Sequence, residues 1–270
     1  MSEKKVIDSS ISPVSSEDIF RDLHRLGVVK GDRLMLHVSL KSMGWVIGAE
    51  VALLNAILDL IGPQGTLVMP AQTGNLGDPA EWENPPVPSA WVSKIKATMP
   101  AFDPLKTPTY HMGKVAELFR TWPKVVRSSH PHASFCGRGP DAKKIMQTHE
   151  FDSAFGQRSP LHEMLKHPFK ILLIGVDYDV CTALHYAEAL QPAPEMERKM
   201  MTIIDQKERK IIEVMDVAYS TRTFKKIGHA FEAEHPVKKG LIGHGNARLI
   251  PMATLIEFAT EWLKKLPKNP

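Results

Sequence analysis

Residues 32–69 read DRLMLHVSLKSMGWVIGAEVALLNAILDLIGPQGTLVM, and this stretch decides the fold class. Leu34, Met35, Leu36 and Val38 make Asp32–Ser39 an apolar strand. Ala49–Ile61 is rich in Leu, Ile and Ala and stops at Gly62-Pro63, which reads as a helix. Gly65-Thr66-Leu67-Val68-Met69 is a second short buried strand, closed by Pro70. Just upstream, Ser15-Ser16-Glu17-Asp18 opens another helix. A hydroxyl there caps free N–H groups, and acids suit the positive end of the helix dipole. The apolar stripe of that helix is Ile19, Leu23 and Leu26, and Gly27 ends it. Helix, strand, helix, strand is the rhythm of a βαβ unit.

Working outward, Lys170–Val176 is the clearest buried strand, and Thr182–Leu190 reads as a helix directly after it. Further helices are expected over 114–122, 140–150, 160–166 and 253–265. Two β-rich runs, Thr202–Ile204 and Ile211–Val214, flank the polar turn 205–210 and predict a small hairpin near 201–217. The segment 70–108 carries Pro79, Pro85, Pro86, Pro88, Pro100, Pro104 and Pro108, so it cannot be continuous helix or sheet. Its Trp82 and Trp91 favour a long packed loop over a linker. Met1–Ser12 is polar and expected to fray. The expectation is an α/β fold, a mixed central sheet flanked by helices, in one domain spanning 1–270.

Composition narrows the function. The net charge is +4, from 34 Lys+Arg against 30 Asp+Glu, too mild for the basic stripe of a nucleic-acid-binding domain. The same sum fits a patch for a phosphorylated cofactor. Two cysteines, Cys136 and Cys181, allow one disulfide, but such sparse use suits a reducing cytoplasm. The longest apolar runs, such as Ile171–Val176, fall far short of the roughly 20 residues a membrane span needs.

The sharpest chemical constellation is Cys181-Thr182-Ala183-Leu184-His185-Tyr186-Ala187-Glu188. On a helix, His185 and Glu188 lie one turn apart and share a face, with Thr182 one turn earlier. The carboxyl end of a parallel strand is where open α/β sheets place ligands. A His oriented by a carboxylate takes a proton from a nucleophile near neutral pH. The bland alternative is a packed His beside a solvated Glu. Cys181, four residues before His185, could instead form a thiolate–imidazolium pair, although a small buried residue is the commoner reason for a Cys there. His162 and His167 are five apart and share no helix face, so a zinc-protease geometry fails. His130-Pro131-His132 lacks a third ligand at a telling spacing, and no metal is expected. Two loops could hold an anion: Ser39-Leu40-Lys41-Ser42-Met43-Gly44 before a helix, and Arg127-Ser128-Ser129-His130-Pro131.

Taken in order, these segments resemble the antibiotic N-acetyltransferase family, typified by aminoglycoside 3-N-acetyltransferases. The matching pieces are 37–45 (HVSLKSMGW), 65–70 (GTLVMP), 100–104 (PAFDP), 112–117 (MGKVAE), 127–131 (RSSHP), 156–161 (GQRSPL), 173–176 (LIGV) and 182–188 (TALHYAE). The resemblance covers about residues 15–250. It implies a mixed α/β core distinct from the common acetyltransferase fold, acetyl-CoA as donor, and an aminoglycoside-like polycationic amine as acceptor. By that likeness His185 is the general base and Glu188 its partner. The loop of Ser39, Leu40, Lys41, Ser42 and Gly44, with His37 before it, is implied for CoA, and Thr73, Arg127, Ser128 and Ser134 are added to that set. From spacing, Thr182 is expected to hydrogen-bond the thioester oxygen. Asp177, Asp179, Glu188, Glu232 and Glu234 are the acids expected near the acceptor. Val38 and Lys41 depart from a more usual Ser and Arg, and Cys181 from a frequent Asn, which bears on cofactor detail and acceptor range. The expected assembly is a monomer or homodimer without nucleic-acid or membrane partners. Two other readings stay open: a Cys181–His185 acyl-enzyme, and a CoA-binding homologue with a different acceptor.

Overall fold

A computed structural model describes residues 3–266. Among these described residues, ten α-helices are joined by nine strands: α1 (Glu3–Ser9), α2 (Ser16–Leu26), β1 (Arg33–Val38), α3 (Ala49–Ile61), β2 (Thr66–Pro70), α4 (Ser89–Thr98), α5 (Gly113–Arg120), β3 (Val126–Arg127), β4 (Phe135–Arg138), α6 (Ala142–Gln147), α7 (Pro160–Leu165), β5 (Phe169–Ile174), α8 (Leu184–Ala189), β6 (Met196–Asp205), β7 (Glu208–Val217), α9 (Phe224–Glu234), β8 (Lys238–Ile242), β9 (Gly245–Pro251) and α10 (Met252–Lys264).

Seven strands form one mixed sheet in the order β3-β4-β2-β1-β5-β9-β8, and β6 and β7 form a separate hairpin. The centre is parallel: β1 pairs with β2 on one side and with β5 on the other, where His37 faces Leu173 in register. Both margins are antiparallel. Alternation along β1 assigns the two sheet faces. Leu34 and Leu36 pack with α2, α3 and α5 residues such as Leu23, Ile57 and Phe119. Met35 packs on the other face with α7, α8, α9 and α10 residues such as Leu161, Leu184, Ile227 and Leu255. Because the chain leaves the carboxyl ends of β1 and β5 towards opposite neighbours, a crevice opens there.

The expected mixed α/β fold and hairpin are present, with differences in detail. The hairpin strands are ten residues each, and its turn is only Gln206 and Lys207. Both have positive φ, 49° and 71°, which matches the strand twist and permits a two-residue loop without glycine. The amino-terminal segment is not frayed from Glu3 onward. Val6 is buried, the Ser10 hydroxyl accepts the Trp45 N–H at 2.8 Å, and the Trp45 indole donates to Glu3 at 3.2 Å. The proline-rich stretch contains α4, and its aromatic cluster packs on the hairpin. Leu76, Met99 and Phe102 form a small core with Trp82, and the Phe102 N–H donates to the Thr202 carbonyl at 3.0 Å. Both cysteines are free and buried, so the disulfide allowed by their number is absent. Among the described residues no helix is long and apolar enough to cross a membrane.

Candidate active site

A cleft of about 980 Å³ opens at the carboxyl ends of β1 and β5. The residues after β1 form one wall, with Ser39, Leu40, Lys41 and Gly44 lining it. The turn after β5 and the start of α8 form the opposite wall, where Asp179, Thr182 and His185 line it. Lys114 from α5, Glu50 from α3 and Glu3 from α1 complete the charged lining.

His185 Nδ1 lies 2.6 Å from Glu188 Oε2. Glu188 Oε1 accepts the Ser220 backbone N–H at 3.1 Å, so both carboxylate oxygens are occupied and the pair is tied to a second segment of chain. With Nδ1 committed, Nε2 is the ring nitrogen left for a ligand in the cleft. Three rings fix the imidazole plane. Phe155 stacks on it at 4.7 Å and 18°, Tyr219 meets it edge-on at 5.2 Å, and Phe224 lies 4.7 Å away. The Thr182 carbonyl accepts the His185 N–H at 3.1 Å, which closes the turn that places both residues on one wall.

His37 lines the same cleft. Burial pulls its pKa down to about 4, so the ring is neutral, and its Nε2 has no hydrogen-bond partner among the described residues. Cys181 is fully buried outside the lining, and burial pushes its thiol up to about 12. A protonated thiol walled off from the cleft cannot serve as a nucleophile, so the Cys181–His185 reading does not fit.

Several expected contacts are elsewhere. Thr73, Ser128 and Ser134 are 0% exposed and hold the fold together. Thr73 donates to the Pro131 carbonyl, Ser134 to the Ala71 carbonyl at 2.7 Å, and Ser128 accepts the Phe135 N–H at 2.9 Å. Arg127 spends its guanidinium on the carbonyls of Ala71 at 2.6 Å and Thr107 at 2.5 Å, joining the sheet to the proline-rich loop. These four are corrected from ligand contacts to structural ties. Ser42 turns from the cleft and donates to the Gly175 carbonyl at 3.0 Å. Asp177 and Glu232 are also withdrawn from the acceptor set. Glu232 is held by Arg248 and Lys239, each at 2.6 Å, and by the Tyr178 hydroxyl at 3.1 Å. Asp177 accepts the Tyr178 N–H at 2.9 Å and faces His229 at 3.3 Å. Glu234, at the exposed end of α9, lies outside the cleft lining.

A family model described as aminoglycoside 3-N-acetyltransferase matches residues 35–264. The chain belongs to that family. A relative from Bacillus subtilis, the SPbeta prophage-derived aminoglycoside N(3')-acetyltransferase-like protein YokD, is 38% identical over 96% of each chain. Its crystal structure superposes with a TM-score of 0.95 over 98% of this chain and 100% of YokD. Aminoglycoside N(3)-acetyltransferase VIII of Streptomyces fradiae is 37% identical over 72% of this chain and 67% of its own. A structure of AAC-IIIb binary with CoASH gives a TM-score of 0.83 at 26% identity, covering 96% of this chain and 100% of that one.

The chain is thus an acetyltransferase of the aminoglycoside 3-N-acetyltransferase family. Residue reasoning missed several members of its site. Phe155, Tyr219 and Phe224 come from three separate segments, and no spacing links them to His185. The Ser220 contribution is a backbone N–H, which has no side-chain signature. Lys114 stood inside a matching motif, and a lysine at a helix start beside a glycine was the available signal.

Proposed function

We propose that the chain transfers the acetyl group of acetyl-CoA to an amine of an aminoglycoside-type acceptor, with His185 as general base and direct attack of the amine. The observation that carries this reading is the His185 imidazole facing a cleft of about 980 Å³ while Glu188 holds its other nitrogen at 2.6 Å. Residues present in the cleft suit a long ligand with an anionic end. Lys41 and Lys114 supply positive charge, Leu40 and Met69 supply apolar wall, and the unpartnered His37 Nε2 offers a buried hydrogen bond. Asp179 and Glu50 supply negative charge for acceptor ammonium groups. The binary complex of the related AAC-IIIb with CoASH supports the same donor.

Acetyl-CoA supplies the acyl group and a thiol leaving group. His185 Nε2 takes the proton from the amine as the N–C bond forms. The C–S bond breaks, and the imidazolium returns the proton to the departing sulfur, so no acyl group passes to the protein. Glu188 stabilises the imidazolium and fixes the tautomer with Nδ1–H. Thr182, on the wall beside His185, is assigned to the thioester oxygen.

Initial rates of thiol release, measured across an aminoglycoside panel, test the reading. The wild-type protein should turn over with intersecting double-reciprocal lines. His185→Ala should lose about 10²–10⁴-fold in kcat while CoA still raises its melting temperature. Parallel lines, or full activity in His185→Ala, would overturn the mechanism. A protein that binds CoA but acetylates no amine in the panel would overturn the acceptor class.

A further inference from the structure

Asp216 is 2% exposed near the end of β7, and its partners are two backbone N–H groups and one hydroxyl, with no cation among them. Its Oδ2 accepts the Ala154 N–H at 3.0 Å. Its Oδ1 accepts the Val217 N–H at 2.8 Å and stands 3.5 Å from the Tyr219 hydroxyl. Burial raises its pKa from the ordinary carboxylate value, opposed by those donors and by the charge of Lys199 on β6. Keeping an acceptor-only group in so dry a place is costly, and such groups are retained where they fix geometry.

What it fixes is the surroundings of His185. Ala154 precedes Phe155, whose ring stacks on the imidazole. The Phe155 N–H donates to the Tyr219 hydroxyl at 3.3 Å, and the Tyr219 ring meets both Phe155 and His185 edge-on. One residue further, the Ser220 N–H holds Glu188. Residues 154–155 and 216–220 therefore make most of the contacts that orient the pair, and Asp216 joins those two segments.

We propose that Asp216 is a positioning residue for the transfer reaction. Its carboxylate locks residues 154–155 to residues 217–220, so that Phe155, Tyr219 and the Ser220 N–H hold His185 and Glu188 in the attacking orientation. This rests on His185 being the base. An Asn at 216 would present an NH₂ towards one of two N–H donors, breaking the lock without changing side-chain volume.

Two variants, Asp216→Asn and Tyr219→Phe, test the proposal with two readouts. Steady-state kinetics of Asp216→Asn should show kcat lower by about tenfold or more. KM for acetyl-CoA should stay within about threefold, because the CoA wall is untouched. In the free protein, NMR of the His185 ring protons should show ring-current shifts moving towards those of a freely rotating imidazole. Tyr219→Phe, which keeps the ring and removes the hydroxyl, should move both readouts the same way by a smaller amount. A folded Asp216→Asn protein with unchanged kcat and an unchanged His185 spectrum overturns the proposal, even if its melting temperature drops. If Asp216→Asn does not fold, an unchanged His185 spectrum in Tyr219→Phe overturns it. A wild-type protein inert towards every amine would sink the transfer reading instead, and the spectrum would still judge Asp216.

Discussion

At Cys181 and His185, four residues apart, burial makes opposite chemistry. The His185 ring reaches the cleft, while the Cys181 sulfur lies behind it with its thiol pushed up to about 12. At neutral pH the thiol therefore stays protonated. Cys181→Ala should keep kcat within about twofold, and iodoacetamide should leave the folded wild-type protein active; inactivation by the reagent that Cys181→Ala prevents would contradict this. The His185–Glu188 pair was legible in the sequence because three residues on a helix fix a shared face whatever the surroundings. Arg127, Ser128 and Ser134 were not read correctly because a hydroxyl or guanidinium in a loop looks the same whether it meets a ligand or a carbonyl. That choice was made by β3 and β4, which bring Arg127 to the Ala71 carbonyl. Asp177 and Glu232 failed for a related reason: their cations, Arg248 and Lys239, lie on strands the sequence did not announce.

Elements were readable where local chemistry agreed with burial. Ser15 caps α2, with Asp18 closing a reciprocal capping box, and Gly27 ends it in the left-handed region at φ 101°. α9 was hidden by its own Gly228, which looks like a breaker between Ile227 and Phe231. The structure gives that glycine a purpose. A Cβ there would sit 2.0 Å from Cγ of the buried Tyr178 ring. Gly228→Ala should therefore cost about 1–3 kcal/mol by overpacking, read as a lower urea midpoint. Because Tyr178 begins the turn that carries Asp179 to the cleft, KM for the amine should rise as well. An unchanged midpoint would mean that α9 shifts freely away from the turn. β8 escaped notice because four of its five residues are exposed, leaving no apolar alternation, and α4 because prolines flank a helix with no buried residue.

Across the whole molecule, four imidazoles are held neutral by burial. His37 and His132 are drawn down to about 4 and His149 to about 3. His130 falls well below its ordinary value, with His149 and His132 adding to the effect of burial. In the unfolded chain each would titrate near 6.5. Below that pH the unfolded chain binds protons that the folded chain refuses. Stability is therefore complete above about pH 6.5 and is lost as the pH falls towards 4 and 3, by up to about 1.4 kcal/mol per pH unit for each group. Urea midpoints measured from about pH 7.5 to about pH 4.5 should fall steeply, and a flat profile would show that these rings protonate without unfolding. The sheet order carries a different consequence. β1 is flanked by β5, with Arg33 facing Phe169 in register, and the set of rings around His185, begun by Phe155, is completed only with Tyr219 and Phe224. A growing chain on the ribosome therefore leaves one edge of β1 open until more than half of the polypeptide has emerged. Acetylating capacity should switch on late and all at once, and nascent fragments ending before β5 should be the species that chaperones must shield.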